Sequence, residues 1–385
     1  MSLGSTTLGL KEGELTLVQK LLGIRWFLLI LIGAAVGVGV IVLLSVGKGR
    51  FEPWADRQLL RFGVGVVALF VVALTDIRIW LRLAYPLYGV ALALLIAVHL
   101  FGTVAMGAQR WLDLGPVNIQ PSEVMKIALV LALARYFHGL SYEDVGRPHY
   151  LIVPMLLAFG PAALVLKQPD LGTAMMLLLG AASIFFLAGV RFWKFALVIG
   201  GAVAALPIAW NMLHDYQKRR IQTFLDPESD PLGAGYHILQ SKIALGSGGV
   251  FGKGFMQGTQ SHLNFLPEKQ TDFIFTMLAE EFGMMGGLAL MAIYAAIVIY
   301  GYAMALRVRH QFGRLVGLGV VSTFFFYVFI NMAMVMGVVP VVGVPLPFVS
   351  YGGSAMLTLM IGFGLLMNAY IHRDVPLPQH GGGAA

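Results

Sequence analysis

Apolar stretches of about 18–25 residues recur along the whole 385-residue chain, separated by short polar punctuation, and that is the length a helix needs to cross a bilayer. Inside hydrocarbon every backbone N–H and C=O must find a partner within the protein, so stretches of this kind fold as helices. Windows of about nineteen residues place spans near 26–46, 59–75, 84–106, 122–138, 150–166, 171–190, 195–213, 284–304, 315–337 and 354–371. The expected fold is therefore an all-α polytopic membrane protein, a single integral membrane domain over 1–385 with about ten transmembrane helices. Arg61 beside the second span and Pro154 and Pro161 within the fifth are the irregular features of this map.

Composition narrows the function. Hydrophobic residues make up 58% of the chain and charged residues 12%, about half the charged share of a soluble domain. The formal charge of +7 is spread out rather than gathered in a basic tract, so no nucleic-acid partner is expected. Without cysteine, disulfides, thiolate metal sites and cysteine nucleophiles are excluded. The first apolar block is too long for a cleaved signal peptide and follows Lys11, Lys20 and Arg25, so it is expected to remain as a helix. Ahead of it, Leu10 to Leu22 mixes Leu and Val with Lys and Glu, a pattern suited to an interfacial helix.

An even number of spans puts both termini on one side. Loops on that side hold Arg78, Arg82, Arg135, Arg147, Arg191, Lys194, Arg307, Arg309, Arg314 and Arg373, which makes it cytoplasmic by the positive-inside rule. The opposite side holds as many basic residues, but Lys218, Arg219, Arg220, Lys242, Lys253 and Lys269 fall in one large extracytoplasmic loop, 214–283, and long loops cross largely regardless of charge. Most of the 19 acidic residues also fall on that outer side, so chemistry is expected to face outward.

Three placements of charge stand out. In IQPSEVMKIALVLALARYF, Pro121 and Ser122 open a helix and put Glu123 and Lys126 on one face within its first turns. Charge at membrane depth costs about 2.5–3.5 kcal/mol, so these residues line a cavity or form a helix-end ion pair at the headgroups; Arg110, Trp111 and Asp113 just before favour the cavity. In LKQPDLGTAMML, Lys167 and Asp170 share a short outer turn, where Asp170 serves either a site or a helix N-cap. In GSGGVFGKGFMQGTQSHLNFLPEKQTDFIFTMLAEEFGMMGG, the glycines with Lys253 read as a flexible loop whose backbone can approach an anion. Glu268 and Asp272 then open an apolar helix that is expected to carry Asp272 and Thr276 on one face with Glu280 a turn further. These acids either cap the helix in solvent or, buried against Phe273 to Phe275, gain proton affinity suited to a general base. Two prolines and two glycines in GVPLPFVSYGGS mark non-helical backbone that must line a cavity rather than face lipid.

Taken in order, GAQRWLDLGPVNIQPSEVMKI, QPDLGTA, QSKIALGSGGVFGKGFMQGTQSHLNFLPEKQTDFIF and VVPVVGVPLPFVSYGGSAML resemble the SEDS family of bacterial cell-wall glycosyltransferases. GTQSHLNFLPE is similar to the elongation branch more than to the division branch. The motifs run from about Gly107 to Arg373, and the first hundred residues agree only in hydropathy and span count. Gln270, His262 and Asn264 are local departures from the pattern.

The resemblance implies a peptidoglycan polymerase of the bacterial cytoplasmic membrane, joining lipid II units into β-1,4 glycan strands on the outer face with inversion at the anomeric carbon. It implies dependence on a divalent cation (Mg2+ or Mn2+), and a class B penicillin-binding protein and the elongation machinery as partners. By motif, Asp272 takes the catalytic aspartate, as base or metal ligand. Glu123, Lys126 and Asp170 take cavity positions, with Glu123 and Asp170 expected to share the metal or orient the acceptor. Arg110 and Trp111 fall in the matched outer-loop motif. Lys126, Arg110, Arg219 and Lys242 are expected to hold the pyrophosphate. A lipid-linked precursor flippase is the main rival, since transporters also show broken helices and intramembrane charge; a non-catalytic scaffold of the synthase is the third reading. Ser45-Val46-Gly47-Lys48 matches S-x-x-K but lacks the companion motifs of a transpeptidase.

Overall fold

The computed structural model describes residues 15–105, 108–113, 118–141, 143–212, 218, 222–226, 234–259 and 269–378. A short helix, α1 (Leu17–Leu22), precedes α2 (Trp26–Val46), α3 (Ala55–Leu74) and α4 (Ile77–Phe101). Three short antiparallel strands follow, β1 (Thr103–Ala105), β2 (Ala108–Asp113) and β3 (Asn118–Ile119), in the order β1-β2-β3. Then come α5 (Pro121–His138), α6 (Pro148–Lys167), α7 (Leu171–Ala188), α8 (Phe192–Met212), α9 (Ala234–Ser247), α10 (Ile274–Leu306), α11 (Gln311–Val335) and α12 (Gly353–Ile371).

A helix lies at each of the ten expected spans, and among the described residues eight helices are long and apolar enough to cross a membrane. In α8 the apolar stretch is shorter, Phe192–Ala205. The other exception, α5, carries Glu123, Lys126 and Arg135, yet 15 of its 18 residues are buried. It is an interior helix wrapped by α4, α6, α7 and α11, so its charges meet protein rather than lipid. With 19 of 25 residues buried, α11 is the second interior helix, packed on α10, α12, α7 and α5.

Several boundaries differ from the sequence map. The third span, expected at 84–106, begins at Ile77 because the Asp76 side chain accepts the Arg78 N–H at 2.7 Å as an N-cap. It ends at Gly102, after which the chain turns into β1. The second span, α3, starts at Ala55 and takes in Arg61, whose guanidinium stacks over Tyr351 at 4.3 Å. Pro154 and Pro161 leave α6 unbroken, since neighbouring helices can satisfy the backbone groups a proline frees.

The largest departure concerns the glycine-rich stretch and the helix after it. The apolar helix expected to open at Asp272 within the 214–283 loop is present but begins at Ile274, and this helix, α10, is broken at Gly283, with φ 66° and ψ −163°. In an unbroken helix the Met284 and Met285 N–H groups would bond the carbonyls of Glu280 and Glu281. Here all four groups turn to residues 249–254: Met284 N–H donates to Gly249 O at 2.9 Å, Met285 N–H to Val250 O at 3.1 Å, and Lys253 and Gly254 N–H to Glu280 O and Glu281 O at 3.0 Å each. So close an approach needs glycine. A Cβ on Gly248 would lie 2.0 Å from Ala279 O, one on Gly252 2.1 Å from Glu281 O, and one on Gly283 2.3 Å from Gly252 N. These glycines splint a helix break, contrary to the expectation of a flexible anion-binding loop.

Candidate active site

At the start of α5, Glu123 and Lys126 form a buried ion pair, Nζ to Oε1 at 2.7 Å, and each is 4% exposed. Tyr327 of α11 completes a closed ring. Its hydroxyl donates to Glu123 Oε2 at 2.5 Å and accepts a hydrogen bond from Lys126. Lys126 also lies 4.3 Å from the Tyr327 ring centroid. Both charges are thus buried in protein with hydrogen-bond partners, the condition under which a buried pair is tolerated.

At the second placement the N-cap reading holds. Asp170 caps α7 by accepting from Thr173 N–H at 3.1 Å and Thr173 Oγ1 at 2.9 Å. It also faces Arg110 of β2, Nε to Oδ2 at 3.3 Å, while Arg110 Nη2 donates to Pro169 O at 2.8 Å. Trp111 is half-buried and its backbone pairs with Thr103. Lys242 is exposed on α9 and lies across Gly337, where a Cβ would come within 2.4 Å of its Cε. Arg219 and Glu268 lie outside the described residues.

Asp272 precedes α10 instead of sitting on it, so it does not share a helical face with Thr276. Thr276 instead meets Ser241 of α9, Oγ1 to Oγ at 2.9 Å, and Glu280 is paired with Lys253. What fixes Asp272 is the non-helical 338–352 segment. Tyr351 N–H donates to Gln270 O at 2.8 Å, and the Ser350 hydroxyl donates to Thr271 O at 2.5 Å. Asn331 Nδ2 bridges Asp272 O at 3.0 Å and Val344 O at 2.7 Å. The carboxylate lies over Gly343 (φ 73°), where a Cβ would be 3.4 Å from Oδ2. The Asp272 residue is only half-buried. Three residues earlier Lys269 is 8% exposed, and burial, with Lys48 adding to it, pushes its ammonium below the usual lysine pKa.

The same segment touches the other elements of the site. A Cβ on Gly172, at the start of α7, would lie 2.5 Å from Val342 O, and one on Gly39 of α2 would lie 2.7 Å from Val349 Cα. Gln58 of α3 donates to Phe348 O and Ser350 O at 3.1 Å each. Pro345, Leu346, Pro347, Phe348, Ser350 and Gly352 line a small pocket together with Tyr327. From Val344 to Ser350 this backbone is buried in protein apart from half-buried Pro345, while Gly343 is exposed. Tyr327 and Asn331 are four residues apart on α11, and this spacing stacks them on one face, so the Glu123 ring and the Asp272 segment are joined through one helical turn.

Sequence reasoning named the charged residues and missed the neutral ones that hold them: Tyr327, Asn331, Gln58 and Ser350. The available signal was a polar group inside an apolar span, which must face protein. Glu123 and Asp170 are each neutralised by a cation, and among the described residues no three His, Asp or Glu converge as metal ligands.

Comparison with known proteins places this architecture. The family FtsW/RodA/SpoVE, described as cell cycle proteins, matches residues 19–375. The likeness thus reaches well ahead of the Gly107 at which the sequence motifs begin, into helices that offer few polar landmarks. The peptidoglycan glycosyltransferase MrdB of Escherichia coli strain K12 is 47% identical over 323 residues, 83% of this chain and 86% of that protein. A chain from a structure reported as the structural coordination of polymerization and crosslinking by a peptidoglycan synthase complex superposes with a TM-score of 0.80 at 32% identity, covering 91% of this chain and 98% of that one. The crystal structure of the rod shape determining protein RodA of Thermus thermophilus superposes with a TM-score of 0.69 at 30% identity, covering 92% and 98%. With nearly its whole length matched in sequence and in fold, this chain belongs to the FtsW/RodA/SpoVE family.

Proposed function

We propose that this chain is a peptidoglycan glycosyltransferase that polymerises lipid II into β-1,4 glycan strands at the outer face of the bacterial cytoplasmic membrane, in the service of cell elongation and rod shape. It is a multi-pass membrane protein, with both termini on the cytoplasmic side in this reading. The observation that carries the proposal is the setting of Asp272. Its own carbonyl is held by Asn331 and those of Thr271 and Gln270 just before it by Ser350 and Tyr351, while its carboxylate lies on a glycine and the residue keeps partial exposure. A carboxylate held this way is positioned as a general base.

The Asp272 carboxylate takes the proton of the acceptor 4-hydroxyl as that oxygen attacks the anomeric carbon of the donor. The bond from that carbon to the pyrophosphate oxygen breaks, its electron pair leaves with undecaprenyl pyrophosphate, and the configuration inverts. Lys126 has three N–H donors, two of them occupied by Glu123 and Tyr327, and Arg110 has five, so both retain donors for the developing charge. A divalent cation held by Asp272 and the substrate phosphates would neutralise part of the same charge. The lipid tail enters sideways, between helices, toward the 343–352 wall. A class B penicillin-binding protein cross-links the product; the synthase complex on which this chain superposes, reported as coordinating polymerization with crosslinking, supports that partnership.

The test is polymerisation of purified lipid II by the purified chain with its transpeptidase partner, with and without chelator. Polymer that is lost on chelation and restored by Mg2+ or Mn2+ is the expected result. Absence of polymer under every condition, alongside lipid II flipping in proteoliposomes, contradicts the proposal.

A further inference from the structure

The break at Gly283 divides α10 into an outer piece, residues 274–282, and a longer inner piece, and Asp272 sits immediately before the outer one. A helix loses its stiffness where two consecutive i→i−4 bonds are opened, so the outer piece needs bracing from outside. Bracing comes from the splint described above and from three side-chain contacts. Lys253 Nζ lies 2.8 Å from Glu280 Oε1 and donates to Thr259 Oγ1 at 2.8 Å, while Thr259 donates to the same Glu280 oxygen at 3.1 Å. Glu280 is fully buried and the Lys253 side chain is 26% exposed. Next to it Glu281, 1% exposed, accepts from Ser45 at the end of α2. Two adjacent buried acids therefore fasten the outer piece in two directions, to the glycine-rich segment and to α2.

We infer that Lys253 and Glu280 are positioning residues for the polymerase reaction: their ion pair locks the broken outer piece of α10 and thereby sets the placement of Asp272. This rests on the function proposed above. Neither residue need touch substrate. Thr276, on the same piece, is tied to Ser241, which also donates to Val335 O at 2.9 Å, so the lock keeps the end of α10 in register with α9 and α11. The shared glutamate oxygen makes the contribution of Lys253 conditional on Glu280. An acid displaced by about 1 Å costs up to about 100-fold in rate.

Four full-length variants, Lys253→Met, Glu280→Gln, the double variant and Lys253→Arg, are measured for lipid II polymerisation with the partner present and for amide hydrogen exchange. Lys253→Met is expected to lower kcat about tenfold with KM for lipid II within about twofold, and Lys253→Arg to restore most of the rate. The double variant is expected to be no slower than the slower single variant. Exchange is expected to rise across 274–282 and to stay unchanged in the inner piece. That readout needs no activity, so it still judges the lock if the wild-type chain proves not to polymerise. Full rate in Lys253→Met, a loss carried by KM alone, additive losses in the double variant, or unchanged exchange across 274–282 would each overturn the inference.

Discussion

Residues 246–258 and 343–353 are both non-helical over much of their length and both rich in glycine, yet they serve different ends. In the first, the closest contacts of Gly248 and Gly252 are backbone atoms of α10, and the segment replaces hydrogen bonds that the break at Gly283 removes. In the second, Gly343 faces a carboxylate and the chain beside it holds Thr271 and Gln270 in place. One loop closes protein on protein; the other forms a wall with a half-exposed acid on it. Glycine content says that backbone approaches something closely, and only the neighbouring helix tells whether that partner is the protein itself.

Side chains added to the two loops should separate these roles. Gly252→Val puts a branched side chain where backbone already lies at 2.1 Å, at a φ of 80°, and is expected to cost at least about 4 kcal/mol. Little folded protein should be recovered from the membrane, as read by size-exclusion chromatography in detergent. Gly343→Ala meets only Asp272 Oδ2, at 3.4 Å, and should cost about 1–2 kcal/mol for its left-handed backbone. The protein should still fold, with polymerisation reduced. Equal yields from the two variants would erase the distinction.

Tyr327→Phe removes one hydroxyl from the Glu123–Lys126 ring. It is expected to cost about 1–3 kcal/mol by leaving both partners one bond short, with about a tenfold loss of polymerisation in a steady-state assay. The smallest effect is expected at the end of the bundle where His310 caps α11. Burial lowers the pKa of His310 to about 4, against a partial opposing contribution from the His372 carbonyl. The folded state then binds fewer protons than the unfolded state between about pH 6.5 and 4. Its contribution is fully present above 6.5 and lost as pH falls toward 4, so thermal melts should show declining stability across that window. The decline should be smaller in His310→Asn.

The sequence map found the helices well because hydrocarbon dictates their length and composition. It also places a span start at 284, which coincides with the beginning of the inner piece of α10: the hydropathy window detects the break and leaves Glu280 and Glu281 in the loop, while the motif reading of an apolar helix opening at Asp272 matches the outer piece, which begins at Ile274. Nothing local marks those two acids as buried, since their partners Lys253 and Ser45 are distant in sequence. Glu123 and Lys126 were legible because their i, i+3 spacing is local. Asn331 and Gln58 hold backbone carbonyls of segments more than ten and more than two hundred residues away, contacts that no local pattern records.

The most direct test of the central claim, that the acid ahead of the break acts on substrate while the fold is held by other groups, is the polymerisation rate of Asp272→Asn measured on the same sample as its melting temperature. A loss of at least about 100-fold with an unchanged melting temperature is predicted, as for removal of a general base. Polymerisation at the wild-type rate, or a loss that tracks unfolding, would contradict the account.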